Sequence, residues 1–188
     1  MNAIELAALR KYQFIWLNAT MTIMYFVIIL GMEIGITMRT FYIGLTILLL
    51  IQVLGTVRNK QPLLYTFSRR MRTLMLYEQE KMGTEWKAQQ KVNAILQSFL
   101  IIMFLFQAWI MGNQPFYIKG EFIYYVCIYI FTVFLVNIST FIHNRKVDKS
   151  TVEEMKGYTK KMLLFSILFT VIFFIAGIAM GFFVSYLF

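Results

Sequence analysis

Five apolar runs, each about as long as a bilayer crossing, constrain this chain more than any other feature. They lie roughly at 14–32, 38–57, 94–112, 122–142 and 162–188 of the 188 residues. Each supplies about 20 residues, enough for about 30 Å at about 1.5 Å per residue. Neither proline interrupts them, because Pro62 and Pro115 fall between runs, and no charge sits at the centre of any run. Lipid offers the backbone no hydrogen-bond partner, so only helices and closed barrels cross it. Barrel strands alternate polar and apolar residues, and these runs do not. The expected fold is therefore all-α, a polytopic integral membrane protein with five transmembrane helices in a single membrane domain over 1–188.

Composition points the same way. The chain is 60% hydrophobic and 14% charged, whereas a soluble domain is nearer half apolar and a quarter charged. Its single cysteine, Cys127, excludes an intrachain disulfide. The opening "MNAIELAALRKYQF" lacks the basic start and cleavage site of a secretory signal, so the first run is expected to remain in the mature protein. Usage rich in Phe, Ile, Met, Tyr and Lys suggests an AT-rich bacterial genome and hence a bacterial cell membrane.

The connections set the expected orientation. Residues 1–13, 58–93 and 144–161 carry 2, 8 and 6 basic residues, which is 16 of the 18, and the other side holds only Arg39 and Lys119. Basic residues mark cytoplasmic loops. The N-terminus is thus expected inside and the C-terminus outside, with cytoplasmic arms at 58–93 and 144–161. Trp16, Trp109, Tyr117 and Tyr124 fall near the expected interfaces, as an aromatic belt would. The net charge of +9 is explained by this loop asymmetry, and no nucleic-acid partner is expected.

The stretch "SRRMRTLMLYEQEKMGTEWKAQQK", 68–91, is the most charged in the chain. Its first part and the residues before it read as an amphipathic cytoplasmic helix between spans 2 and 3. Leu63, Leu64, Phe67, Met71, Leu74 and Met75 make one stripe at 100° per residue. Arg69 and Arg72 lie away from that stripe and Arg70 flanks it. Glu78 falls on the stripe and is read as its end. Leu64, Phe67, Arg69, Arg70, Met71, Arg72, Leu74 and Met75 are therefore the candidate membrane-surface or partner-binding residues. Two occupants fit the stripe. One is the anionic inner leaflet, where each basic residue contributes about 1 kcal/mol. The other is protein, either the chain's own helices or a partner. Gly83 is expected to break the helix, Thr84 to cap the next one, and Glu85 to favour its first turn. That next helix should run straight into the third span. "STVE", Ser150 to Glu153, has the form of a capping box opening a helix toward the last span.

Chemistry-bearing patterns are sparse. Cys127 and the single histidine, His143, lie sixteen positions apart, about 24 Å along one helix, too far for a nucleophile and its base. The nine acidic residues lie outside the runs, so no intramembrane proton relay is expected. No metal cluster, catalytic set, phosphate-binding glycine loop or cofactor is expected. Glu33 and Arg39 could pair across the first short turn. Among polar residues within runs, Gln52, Gln107 and Asn137 are the candidate intramembrane contacts, as bonds between helices or as the lining of a cavity in an oligomer. "GIAMG", Gly177 to Gly181, could allow close helix contact.

No motif names an activity. The expected role is a non-enzymatic accessory, regulatory or structural subunit of a membrane complex, with basic arms contacting the inner leaflet or a partner. The alternative is a small transporter or permease component acting as an oligomer.

Overall fold

The computed structural model describes residues 1–59, 68–116 and 122–168, of which 58, 59 and 122–125 are described through their backbone alone. Five helices follow in chain order: α1 (Ala3–Glu33), α2 (Met38–Asn59), α3 (Arg69–Met82), α4 (Thr84–Met111) and α5 (Phe122–Lys149). A further helix, α6, occupies 158–168. Among the described residues there is no strand, only one antiparallel bridge between Thr37 and Pro115. Four of the helices, α1, α2, α4 and the Val126–Lys149 part of α5, are long and apolar enough to cross a membrane. That is consistent with a multi-pass membrane protein. Most of the fifth expected span, 169–188, lies outside the described residues, and with it Gly177 to Gly181. So do Leu64, Phe67 and Tyr117, and the side chain of Tyr124.

The long helices associate as two pairs. α2 packs along α4, and α1 packs against α5, while α3 touches α1, α4 and α5. The α2–α4 pair carries small buried residues, Thr46 and Thr56 on α2 and Ala108 on α4, which let helix backbones approach closely. The two threonine hydroxyls are satisfied within their own helix, on the carbonyls of Tyr42 and Gln52, each at 2.9 Å. Outward faces are apolar: Phe26, Leu48, Ile102, Trp109 and Phe134 are all exposed, as lipid-facing side chains would be.

Each end of the bundle is closed differently. At one end the turn after α1 meets the turn after α4. The amides of Met38 and Arg39 donate to the carbonyls of Gln114 (2.9 Å) and Gly112 (3.0 Å). Those amides belong to the first turn of α2, which has no partner within its own helix, so a loop from elsewhere caps it. Phe41 and Phe116 stack over this junction at 4.0 Å. At the other end lies the buried core, formed by Met75, Met82, Trp86, Val147, Met155 and Tyr158. Among the described residues the most deeply buried side chains thus lie at the charged end and not among the long apolar helices. Four of the most buried side chains there are methionines, Met71, Met75, Met82 and Met155, whose unbranched side chains fill irregular gaps between helices.

Gly83 makes the turn from α3 into α4 at φ 56°, ψ −120°, a region open to glycine and strained for other residues. The break expected there is present. The expected cap is not: Gly83 is itself the N-cap of α4 and no side chain caps it. Thr84 is already helical. The 150–157 segment also departs from expectation. A reciprocal cap forms one residue later than expected, with the Thr151 amide donating to Glu154 (3.0 Å) and the Glu154 amide to the Thr151 hydroxyl (3.4 Å). It organises a run of turns over 152–157, not a continuous helix. Gly157, at φ 76°, ends those turns before α6 begins. Glu153 and Glu154 lie two and three residues after Thr151, and the one that reaches back is Glu154.

Candidate functional site

The site that stands out is built around Arg10, in the third turn of α1. Its guanidinium is buried and faces two carboxylates from distant parts of the chain. Nε and Nη2 donate to the two oxygens of Asp148 on α5, at 3.1 and 2.6 Å, a bidentate pair. Nη1 donates to Glu78 on α3 and to Oε1 of Gln13, at 3.1 Å. Gln13 Oε1 also accepts from Asn144 of α5, at 2.8 Å. One cation thus ties together α1, α3 and α5. These are the two ion pairs among the described residues. Arginine suits the position, because its planar fork stays charged and can serve two carboxylates at once.

Glu78 is only 2% exposed. Burial pushes its carboxyl above the ordinary glutamate range; Arg10 opposes this and Asp148 reinforces it. Next to it, burial and the neighbouring Asp148 carboxylate raise the Tyr77 phenol. Beyond lies Tyr158, whose hydroxyl meets Nδ1 of His143 at 2.9 Å. Burial, with Glu78 adding to it, pushes that phenol up to about 12. The Oδ1 atom of Asn144 is buried with no partner among the described residues.

From this cluster a polar seam continues along α1 and α5. Asn18 and Asn137 exchange amide hydrogen bonds at 3.0 and 2.8 Å, and Thr22 meets the Tyr129 hydroxyl at 2.6 Å. Asn137 is therefore an interhelical bond. Gln52 and Gln107 belong to the other helix pair, so the three candidate polar residues do not converge on one place.

The stripe of α3 turns inward. Met71, Leu74 and Met75 are buried, at 1%, 0% and 0% exposure, against the protein's own helices. Of the two occupants open to this face, the chain itself fills it. Its end was misplaced in the sequence reading, because Glu78 continues the buried face as Arg10's partner. Arg69, Arg70 and Arg72 point outward and are exposed. Arg70 also lies over the ring of Tyr12, at 5.3 Å. Ser68 caps the helix by accepting from the Met71 amide (3.4 Å) and donates to the Tyr12 hydroxyl (3.1 Å). Glu85 fixes the second arm: its carboxylate accepts the amides of Gly157 (2.9 Å) and Thr159 (3.0 Å). The expected Glu33–Arg39 pair is absent from the described ion pairs, and both side chains are exposed. Cys127 is exposed on α5. Among the described residues no group of three or more His, Cys, Asp or Glu is arranged to hold a metal ion.

The arrangement joins elements; it does not present a reactive group beside an enclosed cavity. Sequence reasoning passed over Arg10 because charges flanking a span are ordinarily solvated. A signal was present. Asn137, Asn144 and Asp148 recur at helical spacing on one face of α5, and Arg10, Gln13, Asn18 and Thr22 put polar groups along the otherwise apolar α1. Polar residues on two otherwise apolar helices imply that they meet.

The chain matches no protein-family model, no curated protein and no solved structure.

Proposed function

We propose that the chain is a multi-pass protein of a bacterial cell membrane, with its charged end in the cytoplasm, and that it serves as a non-enzymatic accessory, regulatory or structural subunit of a membrane complex. The observation that carries this reading is the division of labour in α3. Its apolar face and Glu78 are consumed in bracing α1 against α5, which leaves Arg69, Arg70 and Arg72 as an outward basic surface. Such a surface suits the anionic inner leaflet or an acidic partner. The charged groups brought together beneath it are engaged with one another, a scaffolding use of charge. The test is the mass of the gently solubilised native complex with its components identified. A second protein at fixed stoichiometry supports the reading; a lone homo-oligomer defeats it.

A second reading, a small transporter acting as an oligomer, is favoured by the buried ionisable cluster at the ends of the long helices α1 and α5. It requires the Arg10 cluster to open and close during turnover. Cross-linking α1 to α5 across it would then abolish transport by the purified oligomer, whereas a scaffold would keep its complex intact.

A further inference from the structure

A groove of about 480 Å³ runs between the end of α2 and the first turns of α4, with Gln79 of α3 at its margin. Val57, Trp86 and Ala94 line it with apolar surface, and Lys87 and Lys91 stand over it one helical turn apart. No carboxylate lines it among the described residues. Neither lysine belongs to an ion pair among the described residues, although carboxylates are close by in sequence at Glu78, Glu80 and Glu85. Two of those are committed elsewhere, Glu78 to Arg10 and Glu85 to the 157–159 backbone. Trp86 is only 6% exposed and belongs to the buried core, so one wall of the groove is fixed by packing. The groove also sits where both helices change character. α2 leaves its apolar run after Val57, and α4 enters its own at Ala94. Just beyond, Leu54 and Ile95 are apolar and exposed, at 64% and 59%.

Paired cations over an apolar floor, at the level where crossing helices meet water, match one ligand shape: an anionic head joined to a hydrocarbon tail. We propose that this groove is a discrete site for one anionic phospholipid. Its phosphate lies between the Lys87 and Lys91 ammonium groups, and its acyl chain descends past Val57 and Ala94 along Leu54 and Ile95. Charge complementarity selects the ligand. A zwitterionic lipid brings its own cation to the same place and loses the advantage, whereas a lipid with a net negative head keeps it. The inference rests on the reading of the chain as a membrane protein with its charged end at a leaflet surface, and it adds a single bound lipid to that general attraction.

Trp86 supplies the readout. The full chain, with Trp16→Phe and Trp109→Phe so that Trp86 is the remaining tryptophan, is reconstituted in phosphatidylcholine nanodiscs. These contain a small graded fraction of phosphatidylglycerol brominated on its acyl chains, or of phosphatidylcholine brominated in the same way. Both leaflets carry the same lipid, so the outcome is independent of orientation and of any partner. Brominated phosphatidylglycerol should quench Trp86 and saturate at a mole fraction well below that needed by brominated phosphatidylcholine. Lys87→Gln with Lys91→Gln should weaken this by about 25-fold, taking about a five-fold loss per lysine. Lys87→Arg with Lys91→Arg should retain it, which guards against a folding defect. Lys11→Gln with Arg39→Gln, which removes two exposed charges that do not line the groove, should leave it unchanged. Equal quenching by the two lipids, or equal losses in Lys87→Gln with Lys91→Gln and in Lys11→Gln with Arg39→Gln, overturns the site while leaving the membrane reading standing. Quenching by neither lipid overturns both.

Discussion

At the scale of single residues, the protein's stability concentrates on Arg10. A buried ion pair returns little net energy when complete, because desolvation offsets the attraction, but removing one partner strands the other. Arg10→Ala leaves Glu78 and Asp148 facing each other without their cation, so it should cost about 3 to 5 kcal/mol. This is readable as a lowered thermal midpoint of the purified protein in detergent. Replacing all three members together with Met or Leu should recover most of that loss. Glu78 also gives a pH signature. Its folded-state carboxyl lies above the ordinary range, so the folded state holds that proton to higher pH than the unfolded state does. The resulting contribution is complete below the ordinary glutamate range and fades as pH rises through the raised folded value. Melting curves of the native chain and of Glu78→Gln, measured in parallel across that interval, should differ by a term that falls with pH. A flat difference would mean that Glu78 titrates as it does in water.

At the scale of elements, α3 decides how the charged end is built. Leu74 is fully buried, so Leu74→Ala should cost about 2 to 5 kcal/mol even in detergent, where no bilayer surface exists. Had this face rested on lipid, the same change would weaken membrane attachment and leave the detergent-solubilised midpoint almost unmoved. The residues show why part of this element was legible and part was not. Met71, Leu74 and Met75 announce a helix with one apolar face by spacing alone, and Gly83 announces its end. What covers the face depends on the position of α1 and α5, and helical periodicity carries no information about neighbours. Glu78 was misread because a charge on an apolar stripe resembles the end of the stripe unless its partner is known, and that partner lies 68 positions away. The capping near 150 failed differently: Thr151 with Glu154 satisfies the same rule as Ser150 with Glu153, and local chemistry alone ranks them equally.

At the scale of the whole molecule, apolar length carried the part of the fold that the described residues bear out. The four long helices among the described residues coincide with expected spans. The arms at 1–13 and 68–93 gather with the end of α5 at one pole, while the turns near 35 and 114 meet at the other. Which pole faces the cytoplasm is a question for labelling. In a Cys127→Ser background, Thr73→Cys and Glu33→Cys place a thiol at an exposed position at each pole. With intact cells and an impermeant maleimide, Glu33→Cys should react, and Thr73→Cys should react only after the membrane is opened. The reverse pattern would invert the topology and remove the inner leaflet as the basic surface's partner. The pairing of α1 with α5 and of α2 with α4 was not legible. Apolar helices of similar length are interchangeable by hydropathy, and the pairing is chosen by Asn18 with Asn137 and by small residues such as Thr46 and Ala108.

The Arg10 cluster also fixes an order of events during synthesis. Arg10 leaves the ribosome early, yet Asp148 follows it by 138 positions. At about 5 to 20 residues per second, that interval lasts roughly 7 to 28 seconds. Through all of it α1 is a nascent helix whose guanidinium has no carboxylate from α5 to meet. Its aqueous surroundings near the membrane surface, or a helper at the insertion site, must accommodate the charge until then. The end of α5 therefore sets the order of assembly: the charged end closes only when Asp148, its final member, arrives.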